Sequence, residues 1–135
     1  MTRGVELTNR EEVLNRQVHP VQYDLAKGVL SAAFTPTPSH DFKLSTLRER
    51  VGPEEAFRRH TQGAGLASLG TWPVEVGHAC DQGLTCLDDA GLDRLPDDHA
   101  SVDFSALSSR GKKQQAGRKL AERANELGPL HVPTK

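Results

Sequence analysis

Residues 13–20, VLNRQVHP, decide how the chain is read. Leu14, Arg16 and Val18 alternate with Asn15, Gln17 and His19, the period-two pattern of a strand that Pro20 ends. A strand there sets a guanidinium in line with two aliphatic side chains. On a core face that charge must be paired or aimed at an anionic ligand. On an edge strand it lies along the surface with its head in water. The planar fork of arginine suits phosphate and carboxylate, so Arg16 is the first candidate binding residue. His19, at the end of the same strand on its other face, is the second.

Outward from this strand, VLSAAFT (29–35) has apolar residues at both parities and reads as a central strand. PTPSHD then breaks the chain, and FKLSTL (42–47) reads as a third strand. Gly52-Pro53-Glu54-Glu55 opens a helix that Gly63 can close, with Arg58 and Arg59 near its negative end. Trp72, Val74 and Val76 alternate in a strand that Pro73 confines to an edge or a bulge. GHACDQG holds about one helical turn. HASVDF (99–104) alternates again, and a long helix runs from about Ser109 to Leu127. Its stripe is Ala116, Leu120, Ala124 and Leu127, and Gly128-Pro129 stops it. LHV (130–132) reads as a last short strand, compatible with one parallel crossover. The order predicts an α+β or mixed α/β fold: one small domain over 12–135, with about four to six short strands in one mixed sheet and two main helices. Residues 1–11 read as loose.

A chain of 135 residues fits one domain, and 36% hydrophobic with 4% aromatic content implies a lean core of Leu, Val and Ala. The net charge of −1 indicates neither a nucleic-acid binder nor a membrane-surface protein. No apolar run approaches a membrane span, the N-terminus carries no apolar secretory segment, and Cys80 and Cys86 are too few for a disulfide framework. The expectation is a soluble, cytoplasmic protein. Charge is nevertheless sorted along the chain: residues 75–103 carry a net −7 and residues 104–135 a net +5. Such segments either pair within the fold or present faces to partners.

On the last helix, Lys112, Lys119 and Arg123 share one outward face by their spacing, a candidate surface for phosphates or an acidic partner. No aromatic interleaves with them, so base stacking is not supported. His60 falls with Ala56 and Phe57 on the inner side of the first helix, where a hydrogen-bonded histidine is the ordinary case. His99, Ser101 and Asp103 do not form a triad among themselves, because residues two apart on a strand face stand roughly 6.5–7 Å apart. His78, Cys80 and Cys86 lack a fourth ligand and the usual zinc spacing, so no metal is assigned. The acidic loop LDDAGLDRLPDD (87–98) reads as solvated.

An arginine on the first strand, a serine-containing strand after it and a later strand with a glutamate loosely resemble the NAD-using ADP-ribosyltransferase folds. The matching residues are Arg16, Ser45 in LST and Glu75 in PVEV. The resemblance implies NAD as ligand, with Arg16 holding it and Glu75 orienting the attacking nucleophile. Two readings follow. The first is a binding or accessory protein that meets a protein partner or an anionic ligand through Lys112, Lys119 and Arg123 and the acidic loop. The second is an enzyme with an anion pocket around Arg16 and His19, with Glu75 as a further catalytic candidate. Nucleic-acid binding by the same helix is a weaker third.

Overall fold

β1 is Val5–Glu6 and β2 is Val13–Val18 in the computed structural model, which describes residues 4–133. β3 (Tyr23–Asp24) and β4 (Gly28–Val29) form a small hairpin. β5 (Lys43–Leu47) leads to α1 (Pro53–Arg58), which runs on into a π-helical turn at Arg59–Gly63. β6 (Gly70–Glu75), α2 (Val76–Asp81), β7 (Thr85–Asp88), β8 (His99–Asp103) and α3 (Arg110–Leu127) complete the chain. The main sheet has the order β1-β7-β8-β5-β2-β6, and every pairing in it is antiparallel. The fold is α+β, as the order of elements predicts.

β2 pairs residue for residue with β6, so Leu14 lies opposite Val74 and Arg16 opposite Trp72. The same alternation across the sheet gathers Leu14, Val18, Leu44, Trp72, Val74, Cys86 and Val102 on one buried face. α3 and the segment around Phe34 pack here through Ala116, Leu120, Ala121 and Ala124. Burying Leu120 alone stabilises by about 1.5–3 kcal/mol. The opposite face carries Asn15, Gln17, Ser45, Leu47, Thr71, His99 and Ser101, and α1 lies against it, with Thr71 Oγ1 donating to the Pro53 carbonyl at 2.9 Å.

Pro73 sits on β6 at the sheet edge, where its missing N–H costs no ladder bond. Four expectations are corrected. Residues 29–35 are not a central strand: only Gly28–Val29 is extended, and Ser31–Phe34 is a 3-10 helix that buries Ala33 and Phe34. Alanine fits a pleated surface poorly, and a short apolar run does not distinguish strand from helical turn. The last segment is no parallel strand, since His131 makes only an isolated antiparallel bridge to Thr71. Leu127 leaves the helix stripe and is 46% exposed. Of the segment read as loose, Val5–Glu6 pairs with Asp88–Leu87, and residues 1–3 lie outside the described ones.

α3 approaches the 3-10 helix at Gly117. A Cβ there would stand 3.0 Å from the Phe34 carbonyl oxygen and collide with Thr35 Oγ1. Gly117→Ala is therefore expected to destabilise by about 1–3 kcal/mol despite the better helix propensity of alanine. A urea titration showing equal or greater stability for the variant would contradict this contact.

Candidate cleft between the sheet and the first helix

β2 and β5 meet at one pair, Asn15 with Leu47. Beyond it the ladder gives way, and Arg16 makes the connection instead. Its Nε donates to the Ala33 carbonyl at 2.9 Å and its Nη1 to the Ser45 carbonyl at 2.9 Å. No carboxylate among the described residues pairs with it. Burial of this guanidinium pulls its pKa down to about 10, so it stays charged at neutral pH and carries the cost of desolvation. The two readings of Arg16 are thus resolved in part: it is tied to backbone carbonyls and partly buried, not splayed along an edge.

Arg16, whose side chain leaves β2 on the face of Leu14 and Val18 toward the Ala33 carbonyl, also lines a cleft of about 500 Å³ between the sheet and α1. Asn15, Leu47 and His99 form one row across β2, β5 and β8 on its floor. α1 and the π-turn wall it with Ala56, Arg59, His60 and Leu66, and Leu95 and Pro96 close one side. A π-helical turn widens the helix locally and is often found at functional sites. Burial lowers the pKa of His60; a backbone hydrogen bond from the Ala67 region opposes that, and the charges of Arg16 and His19 add to the lowering. His60 therefore sits neutral at the wall, in the field of the Arg16 cation. Arg59 is partly engaged, at 3.0 Å from Glu55 and 3.6 Å from Asp98. Hydrogen bonds from Arg58 first, then Arg59, push Glu55 down to about 2.

His99 reaches the cleft from a buried network. Its Nδ1 lies 2.6 Å from Asp89 Oδ1, and Ser101 Oγ donates to Asp89 Oδ2 at 2.5 Å. All three residues are buried. Among the described residues no buried side-chain nitrogen or oxygen is without a partner or solvent contact. His99 bonds only through Nδ1, so Nε2 is the ring nitrogen left to face the cleft it lines. Asp89 was the residue hidden from sequence reading: the acidic loop looked solvated, yet this carboxylate is buried. The register supplies the signal, because Asp88 pairs with Ala100 and the next residue falls beside His99.

The other candidates lie elsewhere. His19 caps a 3-10 turn, its Nδ1 accepting from Val21 N at 3.1 Å, and does not line the cleft. Glu75 holds Arg123 at 2.6 Å in a separate shallow cleft with Arg10, His78 and Asp81. The structure brings Arg16 to Ser45 but leaves Glu75 apart from both. Lys119 lies 3.8 Å from Glu122, and Lys112 Nζ lies 3.4 Å from Ser108 Oγ, so the α3 stripe is partly compensated within the chain. Cys86 is buried and its thiol is pushed up to about 12 by desolvation first. No group of three or more His, Cys, Asp or Glu among the described residues is arranged to hold a metal ion. No helix among them is long and apolar enough to cross a membrane. Set against protein-family models, curated proteins and solved structures, the chain matches none.

Proposed function

We propose that the chain is a binding protein for a small organic anion, held in the cleft between the sheet and α1. The observation that carries this reading is Arg16, which lines a 500 Å³ cleft and whose guanidinium is partly buried with no carboxylate partner among the described residues. A charge so placed costs the fold on the order of 3 kcal/mol at neutral pH, taken from its pKa displacement. Two charge-assisted bonds to carbonyls, each about 1.5–3 kcal/mol, offset that cost without neutralising the charge. An anionic group supplies what the fold leaves out. Leu47, Ala56, Leu66, Leu95 and Pro96 add apolar walls, so the ligand joins an anionic head to an apolar body. Surface contact through Lys112, Lys119 and Arg123 has less support, since two of these three lie against carboxylates of the chain.

Thermal unfolding in inorganic phosphate tests the proposal. Phosphate at roughly tenfold its Kd stabilises by about 1.4 kcal/mol, a rise in Tm of about 4–5 °C. Arg16→Met loses desolvation cost and hydrogen bonds together, so its own Tm stays within about 5 °C of the wild type while the phosphate response disappears. A wild type indifferent to phosphate, or an equal response in Arg16→Met, would refute the site. Protonation of His60 adds a second cation to the wall, so affinity for sulfate rises as pH falls through its lowered pKa.

A further inference from the structure

Two side chains on the floor of the cleft are almost wholly buried, yet each keeps one polar atom without a protein partner. Asn15 is 3% exposed, and its Nδ2 donates to the Leu47 carbonyl at 3.5 Å and the Arg48 carbonyl at 3.1 Å. Two carbonyls fix the nitrogen, so the other amide atom is the oxygen, an acceptor. It bonds no described residue and is not sealed in the interior, so it opens onto the cleft that Asn15 lines. His99 is 5% exposed, with Nδ1 at 2.6 Å from Asp89 Oδ1. That carboxylate, itself held by the Ser101 hydroxyl, keeps the ring proton on Nδ1 and the lone pair on Nε2. Nε2 likewise bonds no described residue and opens onto the cleft. Buried polar groups are ordinarily paired, so two free acceptors on one floor call for donors from a ligand.

Asn15 and His99 both pair with Leu47, from β2 on one side and β8 on the other, so all three stand on one face of the sheet. Neighbouring strands lie about 4.7–4.9 Å apart, which sets Asn15 and His99 roughly 9–10 Å apart with Leu47 between them. The row is acceptor, apolar side chain, acceptor. One aromatic ring with a donor at each end bridges it when its two hydrogen bonds rise from the floor. Ala56 and Leu66 on one side and Leu95 and Pro96 on the other give the ring apolar walls. We infer a recognition site for an uncharged aromatic molecule with donors at opposite ends, of the hydroxyaryl amide class. Its phenolic O–H donates to His99 Nε2, and its amide N–H donates to Asn15 Oδ1. A group that only accepts is turned away at either end, because it sets lone pair against lone pair. Neither bond uses Arg16, whose side chain leaves β2 on the other face, so this site goes beyond the anion-binding reading and is tested apart from it.

The probe is 4-hydroxybenzamide, titrated against the wild-type protein by NMR. A molecule of this size is expected to bind with a Kd of about 1 mM or below. Benzamide lacks the hydroxyl, 4-methoxybenzamide sets an ether oxygen against His99, and 4-hydroxyacetophenone sets a methyl ketone against Asn15. Each is expected to bind about 10-fold more weakly or worse, since one buried acceptor is left unpaired. This series needs no variant and so does not depend on one that folds. His99→Asn adds the residue test: its amide nitrogen takes the place of Nδ1 beside Asp89, but it has no atom at the position of Nε2. It is expected to bind 4-hydroxybenzamide and benzamide equally. No binding of 4-hydroxybenzamide up to about 10 mM, equal affinities across the wild-type series, or undiminished preference for the hydroxyl in His99→Asn overturns the assignment. If phosphate still stabilises the wild type in that case, only the donor site falls and the anion site stands.

Discussion

Arg48→Met is expected to lower stability by about 3–5 kcal/mol, roughly 10–20 °C in Tm. Arg48 follows β5 and reaches two carboxylates: Glu12 through Nε at 2.6 Å and Nη2 at 3.0 Å, and Asp88 through Nη1 at 2.8 Å. Its side chain is 17% exposed and that of Glu12 10%. The network ties the segment before β2 to the ends of β5 and β7. Methionine preserves the length of the side chain but leaves Glu12 buried without its cation, which is the costly outcome. Arg50, 61% exposed beside Asp98, offers the contrast: Arg50→Met should change stability by less than about 1 kcal/mol. Urea unfolding of both variants gives the comparison, with a lower midpoint and unchanged slope expected for Arg48→Met. Equal small effects would mean that the buried network contributes no more than a surface pair.

The same network sets an acid limit. Burial alone would raise the Glu12 carboxyl; the hydrogen bonds from Arg48 and from Glu49 N, with the fields of Arg48 and Arg50, overcome it and leave the pKa below 4.5. Glu75 is lowered by Arg123, and Asp98 by Arg50 foremost. A carboxylate lowered in the folded state contributes stability above its unfolded pKa and loses it as pH falls through the folded value. Stability should accordingly decline below about pH 4.5 and not before on account of these groups. In Arg48→Met the decline is shallower, because Glu12 no longer gains from being ionised.

Asp89→Ala is the second large effect, about 2–5 kcal/mol. The carboxylate accepts from the Ser101 hydroxyl and pairs with His99 Nδ1, and both partners are buried. Removing the acceptor leaves two donors without a partner, at about 1–3 kcal/mol each. The double variant Asp89→Ala with Ser101→Ala should recover part of the loss, since one stranded donor goes with it. Denaturant midpoints for the three proteins decide this, and additive losses would show that Ser101 and Asp89 do not depend on one another.

Much of this fold is visible in the sequence where a periodic pattern meets a clear end signal. The alternation at 13–18, Pro53 after Gly52, and Gly128 after Leu127 each place an element boundary. VLSAAFT misleads because its alanines satisfy a buried 3-10 turn as well as a strand. Of the cleft, only Arg16 stands out, as a charge among aliphatics. His60 and His99 are visible as residues but not as neighbours, since α1 and β8 meet only through the sheet between them. Asp89 is one of several acids in a loop, and local composition says nothing of which one turns inward. That depends on the β7–β8 register, a long-range property.

The measurement that bears most directly on the anion site is a phosphate titration followed by NMR at the side chains. The account predicts that the Arg16 Nε–H signal and the ring signals of His60 and His99 shift together with one Kd, while the Lys112 and Lys119 signals stay in place. Shifts confined to α3, with Arg16 unmoved, would contradict it and return the anion to the helix surface.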